Sequence, residues 1–177
     1  MEQKKAEIMD EGAMRRAINR ISYEVIERNH GATDLVLAGI RTRGVELAQA
    51  IRSNIAASTG TELPFSELNV NYYRDDIPAS EKSGEKFIAP VAGRDVILVD
   101  DVLFTGRTTR AAIEAVLDAG RAASIRLAVL VDRGHRELPL RADFVGKNVP
   151  TSMREEVVVK LAETDGENSV SIFEKDA

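Results

Sequence analysis

The stretch Val96-Ile97-Leu98-Val99-Asp100-Asp101-Val102-Leu103-Phe104-Thr105-Gly106-Arg107-Thr108-Thr109 decides how this sequence of 177 residues folds. Four aliphatic residues in a row, 96–99, read as a strand buried on both faces. That strand ends in two acids, and a short loop of small and hydroxylated residues then opens a helix over about 107–119, closed by Gly120. The free N–H groups and dipole of a helix N-terminus favour a phosphate dianion, and the Thr105, Thr108 and Thr109 hydroxyls add donors. Gly106 lets the backbone approach the ligand closely. Two carboxylates beside a phosphate cradle would be a poor arrangement for phosphate alone. They suit a ligand that also carries hydroxyls, as a ribose does. The chain has no GxxxxGK[ST] run and no GxGxxG after a strand, which excludes the common nucleoside-triphosphate and dinucleotide loops.

Working outward, residues 35–40 read as a second buried strand, 41–44 as a loop, and 45–58 as a helix closed near Gly60. Met14, Ile18, Ile21 and Val25 recur at helical spacing, so a helix is expected from Asp10, its N-cap, to about Asn29, with Gly31 just beyond. Leu68, Val70 and Tyr72 alternate with polar residues, predicting a strand that leads into Tyr73-Arg74-Asp75-Asp76. The polar stretch 77–86, with Pro78 and Gly84, reads as a movable loop. Residues 125–131 give a third apolar strand, and 157–161 with 170–173 flank Asp165-Gly166 as a hairpin. Strand–helix–strand units with continuous apolar strands predict an α/β fold, a central and mainly parallel sheet flanked by helices, as one domain over 1–177. Ligand should then sit beyond the carboxyl ends of the strands, where the strand order reverses.

Composition narrows the functional classes. There are no cysteines, so disulfides, thiolate metal sites and cysteine nucleophiles are excluded. Two histidines, His30 and His135, leave little for a histidine-rich metal centre. The apolar runs are far shorter than the roughly 20 residues of a membrane helix, and the opening MEQKKAEIMDEG does not read as a signal peptide. A cytoplasmic protein is expected. Net charge of −5 argues against a generally cationic surface but leaves room for a local basic patch.

The stretch 96–109 resembles the binding signature for 5-phosphoribosyl-1-pyrophosphate (PRPP) of the type I phosphoribosyltransferases: four apolar residues, an acidic pair, then Thr-Gly-x-Thr. That resemblance implies a central parallel sheet with a small hood, built from the chain ends and the C-terminal hairpin. It gives Asp100 and Asp101 to the ribose hydroxyls and the loop Val102, Leu103, Phe104, Thr105, Gly106, Arg107, Thr108 and Thr109 to the 5′-phosphate. Arg41, Thr42, Arg43 and Gly44 become the pyrophosphate loop, and Arg43 and Arg74 neutralise the leaving group. A loop over about 74–87 would close over the site, although it is several residues shorter than usual in the family. Magnesium would arrive with PRPP, with no direct protein ligand.

The run from Asp132 to Ser152 narrows the resemblance to the branch of pyrimidine-operon attenuation regulators, whose sequences are those of uracil phosphoribosyltransferases. This likeness implies UMP formation from uracil and PRPP, with the base near Val131, Asp132, Arg133 and Val157. It also implies UMP-dependent binding of the pyrimidine-operon messenger leader by a homodimer or higher oligomer. The RNA face would comprise Arg16, Asn19, Arg20 and Tyr23 with His135, Arg136, Arg141 and Lys147; the family often has Thr and His where Asn19 and Tyr23 stand. Read without the resemblance, an Arg-rich helix face can be a solvated surface, and the PRPP signature is shared by branches that use hypoxanthine or orotate. A salvage transferase without RNA binding, and a UMP-binding regulator without turnover, therefore stay open at this point.

Overall fold

The computed structural model describes residues 3–82, 87 and 89–175. Along the chain lie β1 (Gln3–Met9), α1 (Glu11–Arg28), β2 (Leu35–Ile40), α2 (Arg43–Thr59), β3 (Phe65–Leu68), β4 (Asp95–Leu103), α3 (Arg107–Ala119), β5 (Ser124–Asp132), β6 (Phe144–Asn148), β7 (Glu155–Lys160), α4 (Ala162–Asp165) and β8 (Ser169–Glu174). Five strands form one parallel sheet in the order β3-β2-β4-β5-β6. The central strands are aliphatic on both faces because both faces are covered, and the pleat sorts alternate residues to opposite sides. Ile97 and Val99 pack with α1 and α2, whereas Val96 and Leu98 pack with Ala111, Ala112 and Val116 of α3. Ile97 and Leu98 are both fully buried, and each such side chain contributes about 1.5–3 kcal/mol of transfer free energy.

The second sheet is antiparallel, in the order β1-β8-β7, and joins the N-terminal strand to the C-terminal hairpin. Met9, Val157, Val159, Val170 and Ile172 bury their side chains in the same cluster as α1 and α2. This is the hood that the family resemblance implies. The α/β architecture with a mainly parallel sheet is as expected.

Local chemistry accounts for the helix ends. Asp10 accepts a 2.7 Å hydrogen bond from the Ala13 amide and so caps α1. Gly60 takes the left-handed conformation that ends α2.

Four local expectations need correction. The strand predicted through Tyr72 stops at Leu68, because the Asn69 side chain accepts from the Asn71 amide and starts a 3-10 turn at Asn71–Tyr73. Helix α2 begins at Arg43, two residues early, with Gly44 tucked against β4. Strand β4 runs on past both acids to Leu103, since β5 pairs with it as far as Leu103↔Asp132. The two hairpin strands are joined by the helical turn α4 before Gly166. Strands β1 and β6 have no counterpart in the sequence reading. The predicted movable loop holds a 3-10 turn at Ala79–Glu81, and its residues 83–86 lie outside the described residues.

Candidate active site

In the order β3-β2-β4-β5-β6 the direction of progression reverses between β2 and β4, and a crevice opens beyond their carboxyl ends. The last residues of β4 and the loop into α3 border a cavity of about 380 Å³, whose lining includes Arg74, Asp76, Asp100, Thr105, Thr108 and Glu137. Each acid of the pair accepts from the next backbone amide: Asp101 N–H to Asp100 Oδ1 and Val102 N–H to Asp101 Oδ1, both 2.8 Å. Burial, followed by the adjacent Asp101 charge, pushes the Asp100 carboxyl well above its ordinary value. A neighbour that supplies hydroxyl donors would relieve both effects.

The loop between β4 and α3 lines this cavity. Gly106 sits at φ 92°, in the left-handed region, at the N-cap of α3, and Thr105 Oγ1 accepts from the Arg107 amide at 3.3 Å. The loop's carbonyls are taken from behind by the segment after β5. Leu103 O accepts from Arg133 N–H at 3.1 Å, Thr105 O from Glu137 N–H at 2.9 Å, and Phe104 O from Arg136 Nη1 at 2.8 Å. Thr109 is buried, and Thr108 Oγ1 accepts from Arg74 Nη1 at 3.2 Å. Arg107 pairs with Glu137 at 2.9 Å and with Asp75 at 3.1 Å, so two acids from separate loops converge on the phosphate-loop arginine. Val102 and Leu103 pack into opposite core clusters and anchor the loop.

Across the crevice, the Arg41–Thr42 peptide is cis, and α2 starts at Arg43 without a side-chain cap on Thr42. Arg41 Nε lies 3.3 Å from Glu67 Oε2. Gly44 presses on β4 so closely that an added Cβ would lie 2.4 Å from Val99 O. Arg74 forks onto the Asp76 carboxylate, holding that carboxyl below its ordinary value. Arg43 donates through Nε and Nη2 to Asp165 of α4, at 3.1 and 2.7 Å, and holds the Asp165 carboxyl below its ordinary value. Thus the acid pair, the phosphate loop, the 41–44 loop and Arg74 meet at one end of the sheet. Glu137 and Asp165 enter this constellation only through pairings of 30 and 122 residues' separation, which no local sequence signal carries.

The candidate base residues behave unequally. Val131 and Val157 share one buried cluster beside Val102. Asp132 is occupied by Arg136 and by the Gly134 amide. Arg133 is buried, stacks 4.0 Å from the Phe104 ring centroid, and donates to Thr151 Oγ1, Ser152 O and Glu155 O. It clamps the end of β5 to the start of β7. Arg133→Ala should therefore lower thermal stability, because it removes three part-buried hydrogen bonds from a charged donor, and a carbonyl left unpaired away from water costs about 1–3 kcal/mol. A melting temperature unchanged in thermal denaturation would rule the clamp out.

The candidate RNA residues also divide. Arg20 of α1 donates to Val145 O at 3.2 Å and Gly146 O at 2.6 Å, which brings α1 against β6 and its Lys147. Arg16, Tyr23, Arg141 and Lys147 are exposed, and no side-chain hydrogen bond or ion pair engages them among the described residues. Asn19 accepts from Asn54 of α2 at 2.9 Å. His135 meets Thr151 O at 2.6 Å, and Arg136 is held by Asp132, Leu140 O and Phe104 O. These last two side chains are engaged inside the protein.

Residues 5–163 match the phosphoribosyl transferase domain family. A bifunctional protein PyrR from Streptococcus uberis is 55% identical over 171 residues, covering 97% of this chain and 98% of its own. A pyrimidine operon regulatory protein from Lactococcus lactis subsp. lactis is 55% identical over 170 residues, with 96% and 98% covered. Among solved structures, a Trypanosoma cruzi hypoxanthine phosphoribosyltransferase in complex with IMP superposes with a TM-score of 0.73 at 17% identity, covering 97% of this chain and 91% of that one. A Staphylococcus aureus hypoxanthine phosphoribosyltransferase gives 0.71 at 17%, with 95% and 92% covered. Those two likenesses speak for the fold alone, while the close relatives speak for the branch: the chain belongs to the phosphoribosyl transferase domain family, within the group of bifunctional PyrR pyrimidine operon regulatory proteins.

Proposed function

We propose that this protein regulates a pyrimidine operon by binding its messenger leader in a UMP-dependent way, and that it also forms UMP and pyrophosphate from uracil and PRPP. One observation carries the catalytic half: the carboxylate pair at the end of β4 stands beside the N-terminus of α3, whose Gly106 is left-handed and whose Thr105 and Thr108 line the same cavity as Asp100. That is an acceptor set for ribose hydroxyls next to a donor set for a phosphate. The reaction would break the bond from the anomeric carbon to pyrophosphate and form one to the base nitrogen, with positive charge building on the ring. Catalysis is then positioning and electrostatics. Asp100 and Asp101 orient the ribose and favour the cationic ring. Arg43, Arg74 and the 41–44 backbone neutralise the leaving group. Uracil would lie near Val131, Asp132, Arg133 and Val157, and the segment about 74–87 would close over the site.

Magnesium would supply neutralisation of the pyrophosphate charge. Among the described residues no three His, Cys, Asp or Glu side chains form a metal cage. The ion is therefore read as a partner of PRPP oxygens and water, with no direct protein ligand.

For RNA, the support is the exposed set Arg16, Tyr23, Arg141 and Lys147, with α1 fastened to β6 by Arg20. Tyr23 offers a ring for stacking on a splayed base, and the cations offer phosphate contacts. A homodimer or higher oligomer would extend this face. No helix of the described residues is long and apolar enough to cross a membrane. The test combines a gel shift on the pyrimidine leader, with and without UMP, and a uracil-plus-PRPP assay on the same preparation. RNA binding tightened by UMP establishes the regulator; transfer without any shift leaves a salvage enzyme. Arg141→Ala should weaken RNA binding, reduce the log–log salt slope by about 1, and spare transfer. Equal loss of both activities would mean that Arg141 acts structurally.

A further inference from the structure

The hood meets the candidate pyrophosphate loop through a set of hydrogen bonds confined to the first turn of α2 and the α4 turn. Arg43, the first residue of α2, forks onto Asp165 with Nη2–Oδ1 at 2.7 Å and Nε–Oδ2 at 3.1 Å. One turn on, Glu46 receives the Glu163 amide at 3.0 Å and the Thr164 hydroxyl at 3.1 Å. Asp165 is itself fixed, since its Oδ2 accepts from the Leu161 amide at 2.9 Å. The carboxylate is thus rigid before it meets the arginine, and its side chain is only 18% exposed. A guanidinium presents five N–H donors in one plane. The fork on Asp165 occupies the Nε–Nη2 edge and leaves Nη1 without a protein partner among the described residues. Asp101 also lies close enough to act on the Arg43 charge. Arg43 is therefore held along its Nε–Nη2 edge by the hood, with Nη1 left over for a further acceptor.

We infer that Asp165 is a positioning residue for pyrophosphate recognition: it holds Arg43 in one orientation so that the Nη1 edge faces the leaving group. The hood then takes part in binding PRPP from the side opposite the phosphate loop. This inference rests on the reading of residues 41–44 as the pyrophosphate loop. Removing Asp165 frees a long side chain to rotate, and the lost orientation is charged to ligands that carry pyrophosphate. UMP has none, so its affinity separates positioning from a general loosening of the hood.

The experiment is calorimetric titration of the full chain with magnesium–PRPP, and separately with UMP, for wild type, Asp165→Asn, Asp165→Glu, Arg43→Ala and Arg43→Ala with Asp165→Asn. Asp165→Asn should weaken PRPP roughly tenfold, the scale of one hydrogen bond to a charged group, and leave UMP within twofold of wild type (about 0.4 kcal/mol). Asp165→Glu, which keeps the carboxylate, should recover part of the loss. In the Arg43→Ala background the Asp165→Asn change should have no further effect on PRPP. Equal weakening of PRPP and UMP, additive losses in the double variant, or unchanged PRPP affinity would each overturn the inference. Wild-type protein that binds PRPP but transfers nothing to uracil would instead sink the catalytic reading, with the role of Asp165 still decided by the same titrations.

Discussion

Asp100→Asn combined with Asp101→Asn is expected to lower phosphoribosyl transfer by roughly a hundredfold or more, the loss seen when a preorganised electrostatic contact is removed, while the fold becomes no less stable. The two effects share a cause. Burial first, and then the Asp101 charge, raise the Asp100 carboxyl well above its ordinary value. Between the unfolded and the higher folded value, the folded chain binds more protons than the unfolded one. Stability therefore falls as pH rises through that window, and the full penalty is present above the folded pKa. An amide at residue 100 carries no charge and escapes it. Asp100→Asn should thus raise the melting temperature at pH 8 and change it little at pH 4, with about 2–4 °C expected per kcal/mol in a chain of this size. The check is thermal denaturation of both proteins at the two pH values, together with the uracil assay. Unchanged turnover in the double variant would remove the ribose-contact role, and an equal stability gain at both pH values would show that charge is not the burden.

Gly44→Ala should damage stability and transfer together. The new Cβ would lie 2.4 Å from Val99 O and 3.2 Å from Asp100 Cα, both backbone atoms of the central strand. Neither can swing aside as a side-chain end would. Alanine inside a helix is favoured over glycine by about 1 kcal/mol, so propensity alone predicts a gain. Overpacking in a tight interior costs about 1–3 kcal/mol and sometimes more, and a contact this short puts Gly44 at the upper end. The clash should win, lowering the melting temperature by several degrees at about 2–4 °C per kcal/mol. Relief requires α2 to lift from β4, which moves Arg43 away from Asp100 and Asp101. Urea unfolding with steady-state kinetics on the same variant decides the matter. A variant more stable than wild type, with its PRPP affinity intact, would show that the loop tolerates the methyl.

Much of this architecture was legible along the chain because its signals are local. The aliphatic runs inside β2, β4 and β5 mark strands covered on both faces, and the spacing of Met14, Ile18, Ile21 and Val25 marks α1. The candidate phosphate loop could be picked out along the chain because an acid pair, a glycine and threonines lie next to one another in sequence, as one ribose phosphate would require. Strand β1 was not legible: Gln-Lys-Lys-Ala-Glu-Ile-Met is polar and exposed over most of its length, and it is a strand because β8 offers it a partner. Strand β6 is five residues with a glycine in the middle and two polar residues at its C-terminal end, paired only to β5.

Side-chain roles divide along the same line. The candidate positions Asp100, Asp101 and residues 105–109 follow from residue order. Arg133 and Arg136 read along the chain as candidates for the base and for RNA, and in the folded chain both guanidiniums also donate to part-buried carbonyls that residue order does not reveal. Asp165 reads locally as a turn residue and becomes the partner of Arg43 only when the hood folds over α2. The sequence by itself determined the strand–loop–helix that can hold a ribose phosphate, since that unit is continuous in the chain. Which arginines are engaged inside the protein was decided only by folding, because their partners lie up to 126 residues away and a pairing of that range leaves no periodic trace in the sequence.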